Sequence, residues 1–310
     1  NYKMERNDSD DSFNYSDCGS HLTYSGTVVT WNLSIYLCIL VIAVIANILL
    51  LFAIYKNPLN CFRNPTTYFI ANLAIVDLIQ SLAFLEDAFI SQSTTYESVY
   101  CLPGVWGRIN SALVDFVYFL TFPSVTILAL ERYVSIAYPL WHQVKVTSRR
   151  CRIWIAMVWL MNCIYTGIFQ VLTAQAVVMI TTYPSLFYLA TVAIYVLAFI
   201  SIRKQRFLLV TDSTKSETSK KMMKLRLRNQ NRFFTTVLII NVVLIFGTIP
   251  TLVGTHLSYT LEGDVSPSVD ALSFIADILF FLNMAVNPFL YIWRLPKYRK
   301  TFLLMYCCKK

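Results

Sequence analysis

Apolar residues along this chain are collected into seven stretches, and polar or charged segments separate them. A helix that crosses a bilayer needs about 20 mostly apolar residues, because its backbone hydrogen bonds must be satisfied within the hydrocarbon. Each stretch has about this length, so the pattern predicts an all-α membrane protein with a seven-transmembrane helix bundle. The predicted spans, one to seven, are Leu33–Tyr55, Tyr68–Ile90, Gly107–Ile136, Ile153–Val171, Tyr183–Ile202, Phe233–Leu257 and Ala271–Trp293.

The composition agrees with a membrane protein. Of 310 residues, 56% are hydrophobic and 14% are charged, and the mean hydropathy is +0.55. A soluble domain needs more charge on its surface. We divide the chain into an extracellular segment (1–32), the transmembrane bundle (33–293) and a cytoplasmic tail (294–310). Residues 1–24 are polar and acidic, so the first span is expected to act as the targeting signal.

Lysine and arginine are distributed unequally between the two predicted faces. Three lie on the face of the amino terminus and 23 on the opposite face. The positive-inside rule then places the amino terminus outside the cell, as expected for a multi-pass protein of the plasma membrane. The net charge of +9 describes a basic cytoplasmic face, which favours anionic lipids, rather than a nucleic-acid site.

Covalent modifications are predicted on the outer side. Asn7 and Asn14 each begin an Asn-X-Ser sequence and are candidate glycosylation sites. Of eight cysteines, only Cys18 and Cys101 face the oxidising side. They are either two free thiols or a disulfide that ties the amino-terminal segment to the first outer loop.

Landmark residues occur in the predicted spans in a recognisable order. They are Asn47, Leu73-Ala74-Ile75-Val76-Asp77, Glu131-Arg132-Tyr133, Trp159, Tyr195, Pro250 and Asn287-Pro288-Phe289-Leu290-Tyr291, in spans one to seven respectively. With these landmarks the chain resembles the rhodopsin-like (class A) G-protein-coupled receptors over nearly its whole length. The resemblance implies a receptor that binds an extracellular small molecule or peptide and activates a heterotrimeric G protein.

Polar side chains are expected to meet near the middle of the membrane. A carboxylate at this depth needs partners, and Asp77 has Thr121, Asn283 and Asn287 at the matching depth. In the family this cluster holds a sodium ion that stabilises the inactive state, so the resemblance implies a bound Na⁺ here. The alternative is a hydrogen-bonded cluster that only fixes helix packing.

The resemblance also assigns residues to G-protein coupling and activation. Arg132 is implied to pair with Glu131 at rest and to face a cytoplasmic crevice when active, because a guanidinium can exchange acceptors without losing its charge. The alternative is an arginine that only reaches the lipid interface. Prolines in spans six and seven provide kinks about which the inner halves can swing. The assigned residues are Glu131, Arg132, Tyr133, Tyr195, Pro250, Asn287, Pro288 and Tyr291.

Several positions depart from the family pattern. The usual outer cysteine, the span-six tryptophan, the mid-span-five proline and the span-six acid that pairs with Arg132 are Gly107, Thr248, Phe187 and Gln230. Losing that ion pair should weaken the resting state, so we expect detectable basal signalling. The second outer loop, about 172–182, is short and has no cysteine, which is similar to the melanocortin, cannabinoid and lysophospholipid receptor branch. Retinal is excluded as a cofactor, because the position of its Schiff-base lysine is Phe281.

Three carboxylates are predicted in the outer half of the bundle. At 1.5 Å per residue, Asp87, Asp115 and Asp277 lie roughly 9 to 15 Å outward from the polar cluster. Buried acids without basic partners favour a cationic ligand, such as an amine, a basic peptide or a divalent ion. Arg108 is an alternative partner for one of them, and Glu86 is expected to face headgroups or solvent. Phe281 either lines this pocket or packs between helices.

The carboxyl-terminal segment alternates basic and apolar residues at helical spacing. It predicts an amphipathic helix on the inner leaflet, and the adjacent Cys307 and Cys308 are candidate palmitoylation sites. Membrane lipids are therefore expected partners of the tail.

The chain is predicted not to be an enzyme, because it has no catalytic triad, phosphate loop or paired catalytic carboxylates. Two alternatives to a signalling receptor remain. A transporter or channel would also place acids within the membrane. Transporters commonly show internal repeats and broken Gly-rich spans, and the sequence, with eight glycines, shows neither. A decoy or scaffold would keep the fold without coupling, which the missing tryptophan and span-five proline favour.

Overall fold

A computed structural model describes residues 26–59, 62, 64–93, 104–172, 176–211, 267–294 and 296–307, with scattered residues between 218 and 253. In this part of the chain, six helices are long and apolar enough to cross a membrane. Spans one to five and span seven are the helices Gly26–Lys56, Pro65–Ser93, Gly104–Ala137, Ser148–Val171, Ala176–Thr211 and Pro267–Arg294. The described residues of predicted span six, from Phe234 to Val253, are also helical.

Two short helices complete the described structure. The loop helix, Pro139–Lys145, connects spans three and four, and Pro at its first position fits the start of a helix. Span four then begins with Thr147 as its N-cap, whose hydroxyl accepts a hydrogen bond from the backbone N–H of Arg150. The tail helix, Pro296–Phe302, follows span seven and continues as a π-helical turn, Leu303–Cys307.

Span five differs from the expectation. Its helix begins at Ala176, so most of the predicted second outer loop is helical. The residues before Pro184 are mainly apolar and lengthen the span, and Pro184 itself lies inside the helix. Tyr165 of span four donates a hydrogen bond of 2.8 Å to the backbone oxygen of Met179, which holds the added turns of helix against span four.

Span three lies at the centre of the packing, in contact with spans two, four and five, while span one packs on spans two and seven. Large apolar side chains such as Ile45, Leu160 and Leu189 point outward, as expected for helices that face lipid. A hydrogen-bonded chain joins spans two, three and four. Trp159 Nε1 donates to Asn72 Oδ1 over 2.8 Å, and Asn72 Nδ2 donates to Ser124 Oγ over 3.2 Å.

Candidate functional site

The outer acidic group contains Asp115 on span three and Asp277 on span seven. Asp115 is 7% exposed, and its Oδ2 accepts a hydrogen bond of 2.7 Å from Gln170 Nε2 of span four. Tyr118, one helical turn inward from Asp115, interacts electrostatically with both carboxylates. Acids from two spans therefore act electrostatically on one tyrosine, and the amide of Gln170 orients Asp115.

The remaining predicted outer residues have different surroundings. Asp87 is half-buried, and Arg108 is exposed at the outer end of span three. Glu86 is half-buried and its Oε1 accepts a hydrogen bond of 3.2 Å from Asn110 Nδ2, a partner that the sequence analysis did not predict. A buried amide on the neighbouring helix offers this carboxylate a partner that hydropathy alone does not reveal.

Phe281 belongs to an aromatic cluster between spans one, two and seven. Its ring centroid lies 5.1 Å from Tyr36 and 5.1 Å from Phe84, both in edge-to-face arrangements. Edge-to-face pairs stabilise helix contacts. This geometry favours packing as the role of Phe281.

The mid-membrane cluster is built around Asp77, which is fully buried. Asn287 Nδ2 donates to Asp77 Oδ2 over 2.7 Å, and Asn47 Nδ2 donates to the backbone oxygens of Ala43 and Met284 over 2.9 and 3.0 Å. Buried oxygens without a hydrogen-bond partner in the described structure belong to Asn47, Asp77, Asn283 and Asn287. Orphaned oxygens at a buried carboxylate are the ligands that a hard cation takes, so these four residues fit a sodium ion.

Thr121 is directed elsewhere. Its hydroxyl lies 2.8 Å from Gln80 Oε1 and 3.2 Å from the backbone oxygen of Val117, so it donates to one of these acceptors. Gln80 is fully buried on span two, and its Nε2 is without a partner in the described structure. Gln80 is a member of this region that the sequence reasoning missed. Its position three residues after Asp77, on the same face of span two, was the available signal.

The inner cluster surrounds Glu131, whose side chain is 1% exposed. Arg132 contacts both oxygens of this carboxylate through Nη2 and Nε, and Arg132 Nη2 also donates to Thr66 Oγ1. Thr66 Oγ1 in turn lies 3.1 Å from Glu131 Oε1. His142 Nε2 of the loop helix lies 2.7 Å from the same oxygen. Arg132 is thus paired locally with its neighbour, and spans two and three and the loop helix share one carboxylate.

Two buried tyrosines, Tyr195 of span five and Tyr291 of span seven, interact electrostatically. Tyr195 packs its ring on Phe234 at 5.3 Å, and its hydroxyl interacts electrostatically with Tyr291. Tyr291 is buried, and its hydroxyl is without a hydrogen-bond partner among the described residues. Tyr133 instead packs on Tyr138 at 6.2 Å, beside the loop helix.

The prolines assigned to activation lie within helical segments. Pro288 is inside span seven, and Pro250 is helical among the described residues of span six. Several other predicted residues lie outside the described structure: Asn7, Asn14, Cys18, Cys101, Gln230, Cys308 and the side chain of Cys307.

Comparison with known proteins identifies the family. The family described as 7 transmembrane receptor (rhodopsin family) matches residues 46–291. Neuromedin-U receptor 1 of Homo sapiens is 26% identical over 307 residues, which cover 86% of this chain and 71% of that receptor. Neuromedin-U receptor 2 of Mus musculus is 28% identical over 136 residues, which cover 43% of this chain and 32% of that receptor.

The match confirms the predicted all-α architecture and the seven-helix bundle, since it begins in span one and ends at the last landmark of span seven. The family consists of receptors, so the prediction that the chain is not an enzyme is confirmed as well. This multi-pass membrane protein therefore belongs to the rhodopsin family (class A) of seven-transmembrane receptors.

Proposed function

We propose that this receptor binds a basic peptide at its extracellular side and activates a heterotrimeric G protein. The observation that carries the ligand class is the presence of Asp115, buried on span three, and Asp277, half-buried on span seven, which both act electrostatically on Tyr118. Two carboxylates in the outer half of a membrane bundle attract a cationic group and repel an anionic one. A peptide is favoured over a small amine because the relatives are neuromedin-U receptors.

The outer acidic group presents carboxylates from two spans to a guest. Gln170 donates a hydrogen bond from its neutral amide to Asp115 and so orients that carboxylate. A ligand cation at these carboxylates gains a charge-assisted hydrogen bond. Tyr118 interacts electrostatically with both acids and packs on Phe280 at 5.6 Å, so ligand contacts at Tyr118 reach span seven directly.

Coupling is proposed to occur at the inner cluster. At rest, Arg132 is held by Glu131 and Thr66. In the coupled state Arg132 exchanges these acceptors for groups in the crevice between spans three, five and six, and Tyr195 and Tyr291 support the opened bundle. The proximity of Tyr195 to both Phe234 and Tyr291 supports this assignment, because it links spans five, six and seven at the cytoplasmic end.

A sodium ion is proposed to stabilise the resting bundle. Asp77, Asn283, Asn287 and Asn47 would hold it through the orphaned oxygens described above. Thr121, which the family resemblance also implies, bonds Gln80 in the described arrangement and contributes only if its hydroxyl turns. The ion would supply positive charge to a carboxylate that Asn287 alone does not neutralise.

The amino terminus is proposed to lie outside the plasma membrane. The unequal distribution of lysine and arginine supports this orientation. It places the outer acidic group within reach of an extracellular peptide and the inner cluster within reach of a cytosolic partner.

The test is nucleotide exchange on purified G protein by the full chain in lipid nanodiscs, with a panel of basic peptides and amines. Asp115→Asn and Asp277→Asn should each lower the potency of an active peptide about tenfold or more, because each removes one charge partner. Replacing arginine by citrulline in that peptide should lower its potency on the parent chain. The same replacement should cause no further loss of potency on Asp115→Asn or Asp277→Asn. Glu86→Gln is the control, since Asn110 already holds that carboxylate.

The outcomes distinguish the alternatives. A small amine that acts at lower concentration than every peptide contradicts the peptide proposal. Peptide binding without nucleotide exchange, for every G protein tested, supports the decoy alternative and contradicts coupling. An ion flux through liposomes that contain the chain supports the transporter alternative.

A further inference from the structure

The loop helix packs on span three, and one of its polar side chains reaches into the bundle. Five of its seven residues are exposed, while Pro139 and His142 are half-buried. A helix of two turns is not stable in water on its own, so its position depends on what it contacts. His142, with a side chain 13% exposed, places Nε2 2.7 Å from Glu131 Oε1.

Glu131 Oε1 receives two groups of different chemistry. Arg132 brings a permanent positive charge, whereas His142 is either neutral or cationic near neutral pH. A positive charge on His142 is disfavoured while Arg132 remains beside Glu131, because the two cations would repel each other. Once Arg132 leaves, the buried carboxylate lacks a cation, and a cationic imidazole at this oxygen becomes favourable.

Among the described residues, the other titratable and charged groups near this contact do not provide that charge. Cys151 of span four is buried and interacts electrostatically with Glu131, but a thiol is not a cation. Lys145 and Arg150 are exposed to solvent, and the Arg150 guanidinium donates to the backbone oxygen of Lys145 over 2.8 Å. Tyr133 and Tyr138, at the junction of span three and the loop helix, pack on each other.

We propose that His142 is a positioning residue that replaces Arg132 as the counter-charge of Glu131 when the receptor couples to its G protein. The imidazole takes one proton from cytoplasmic water at Nδ1, while Nε2–H keeps its hydrogen bond to Glu131. This inference rests on the proposed function, since it requires Arg132 to leave Glu131. Because His142 binds its proton more tightly after Arg132 leaves Glu131, protonation of His142 also promotes the departure of Arg132. A lower cytosolic pH therefore favours the coupled state.

The first test needs no G protein. The full chain, labelled with ¹³C-histidine, is placed in nanodiscs and its imidazole signals are followed by NMR across about pH 5 to 8. The chain has three histidines, and His142→Gln identifies the signal of interest. In Arg132→Gln the midpoint of the His142 signal should rise by about 1 pH unit relative to the parent chain. In Glu131→Gln it should fall below the parent value. An unchanged midpoint in both variants overturns the proposal.

The second test uses the parent Arg132. Basal nucleotide exchange is measured at about pH 6.5 and about pH 7.5 for the parent chain and His142→Gln, with the same G protein. The ratio of the two rates should be about twofold larger for the parent chain. Lys145→Gln, which removes an exposed charge from the same helix, should keep the parent ratio. Equal ratios for the parent and His142→Gln overturn the proposal, whereas absence of exchange at both pH values contradicts the proposed function and leaves the NMR result to decide.

Discussion

The mid-membrane cluster predicts a specific dependence of stability on sodium. Within this cluster, four residues carry buried oxygens without a partner among the described residues: Asn47, Asp77, Asn283 and Asn287. A buried polar atom left without a partner costs about 1 to 3 kcal/mol, so a cation that satisfies several of them stabilises the folded bundle. Above the dissociation constant, the free energy of unfolding should rise by about 1.4 kcal/mol for each tenfold increase in sodium.

The matched perturbation is Asp77→Asn. The asparagine keeps the size of the side chain and an oxygen that accepts from Asn287, but it removes the negative charge. The sodium-dependent increase should therefore disappear in this variant. Asp277→Asn, which removes a carboxylate from the outer acidic group, is the control and should retain the parent slope.

The assay is thermal unfolding of the purified chain over a series of NaCl concentrations, with N-methylglucamine chloride keeping the ionic strength constant. A gain of 1.4 kcal/mol corresponds to a rise of about 3 °C in the unfolding midpoint for each tenfold increase in sodium. Equal slopes for the parent chain and Asp77→Asn would refute the reasoning. The reasoning would also be refuted if N-methylglucamine raised the unfolding midpoint as much as sodium does.

Three further predictions concern other parts of the molecule. Gln230→Glu restores the family's acidic partner for Arg132 and should lower basal nucleotide exchange; a variant as active as the parent contradicts the expected weak resting state. Trp159→Phe removes the indole hydrogen bond to span two and should lower the free energy of unfolding by about 0.6 to 1.7 kcal/mol, while the same change at exposed Trp106 should have little effect on thermal unfolding. Changing Cys307 and Cys308 together to serine should abolish hydroxylamine-sensitive palmitate labelling, and persistent labelling would place the acyl group elsewhere.

The sequence predicted the helices well because lipid imposes one dominant requirement on a spanning segment. It predicted their ends less well. Span five begins at Ala176 rather than near Tyr183, since apolar residues and a contact from Tyr165 extend the helix beyond the stretch that its length alone requires. Hydropathy identifies the minimum length of a span, and neighbouring helices decide how far it continues.

The candidate site shows a similar division. Family landmarks located Asp77, Arg132 and the outer acids, because each is a polar residue at a depth where polarity is costly. The family resemblance also predicted two of their partners, Asn287 for Asp77 and Glu131 for Arg132, but not the partners that come from span four and the loop helix. Gln170 and His142 reach their acids from other helices, and such contacts depend on helix rotation rather than on spacing along the chain.

The contact between Tyr306 and span one has a consequence for where the chain is anchored. The Tyr306 hydroxyl donates a hydrogen bond of 2.9 Å to the backbone oxygen of Leu49, and Tyr298 packs on Phe62 at 4.6 Å. The segment after span seven therefore lies under spans one and two. A fatty acid on Cys307 would enter the leaflet beside spans one and two, on a different flank from the crevice between spans three, five and six that is proposed for coupling.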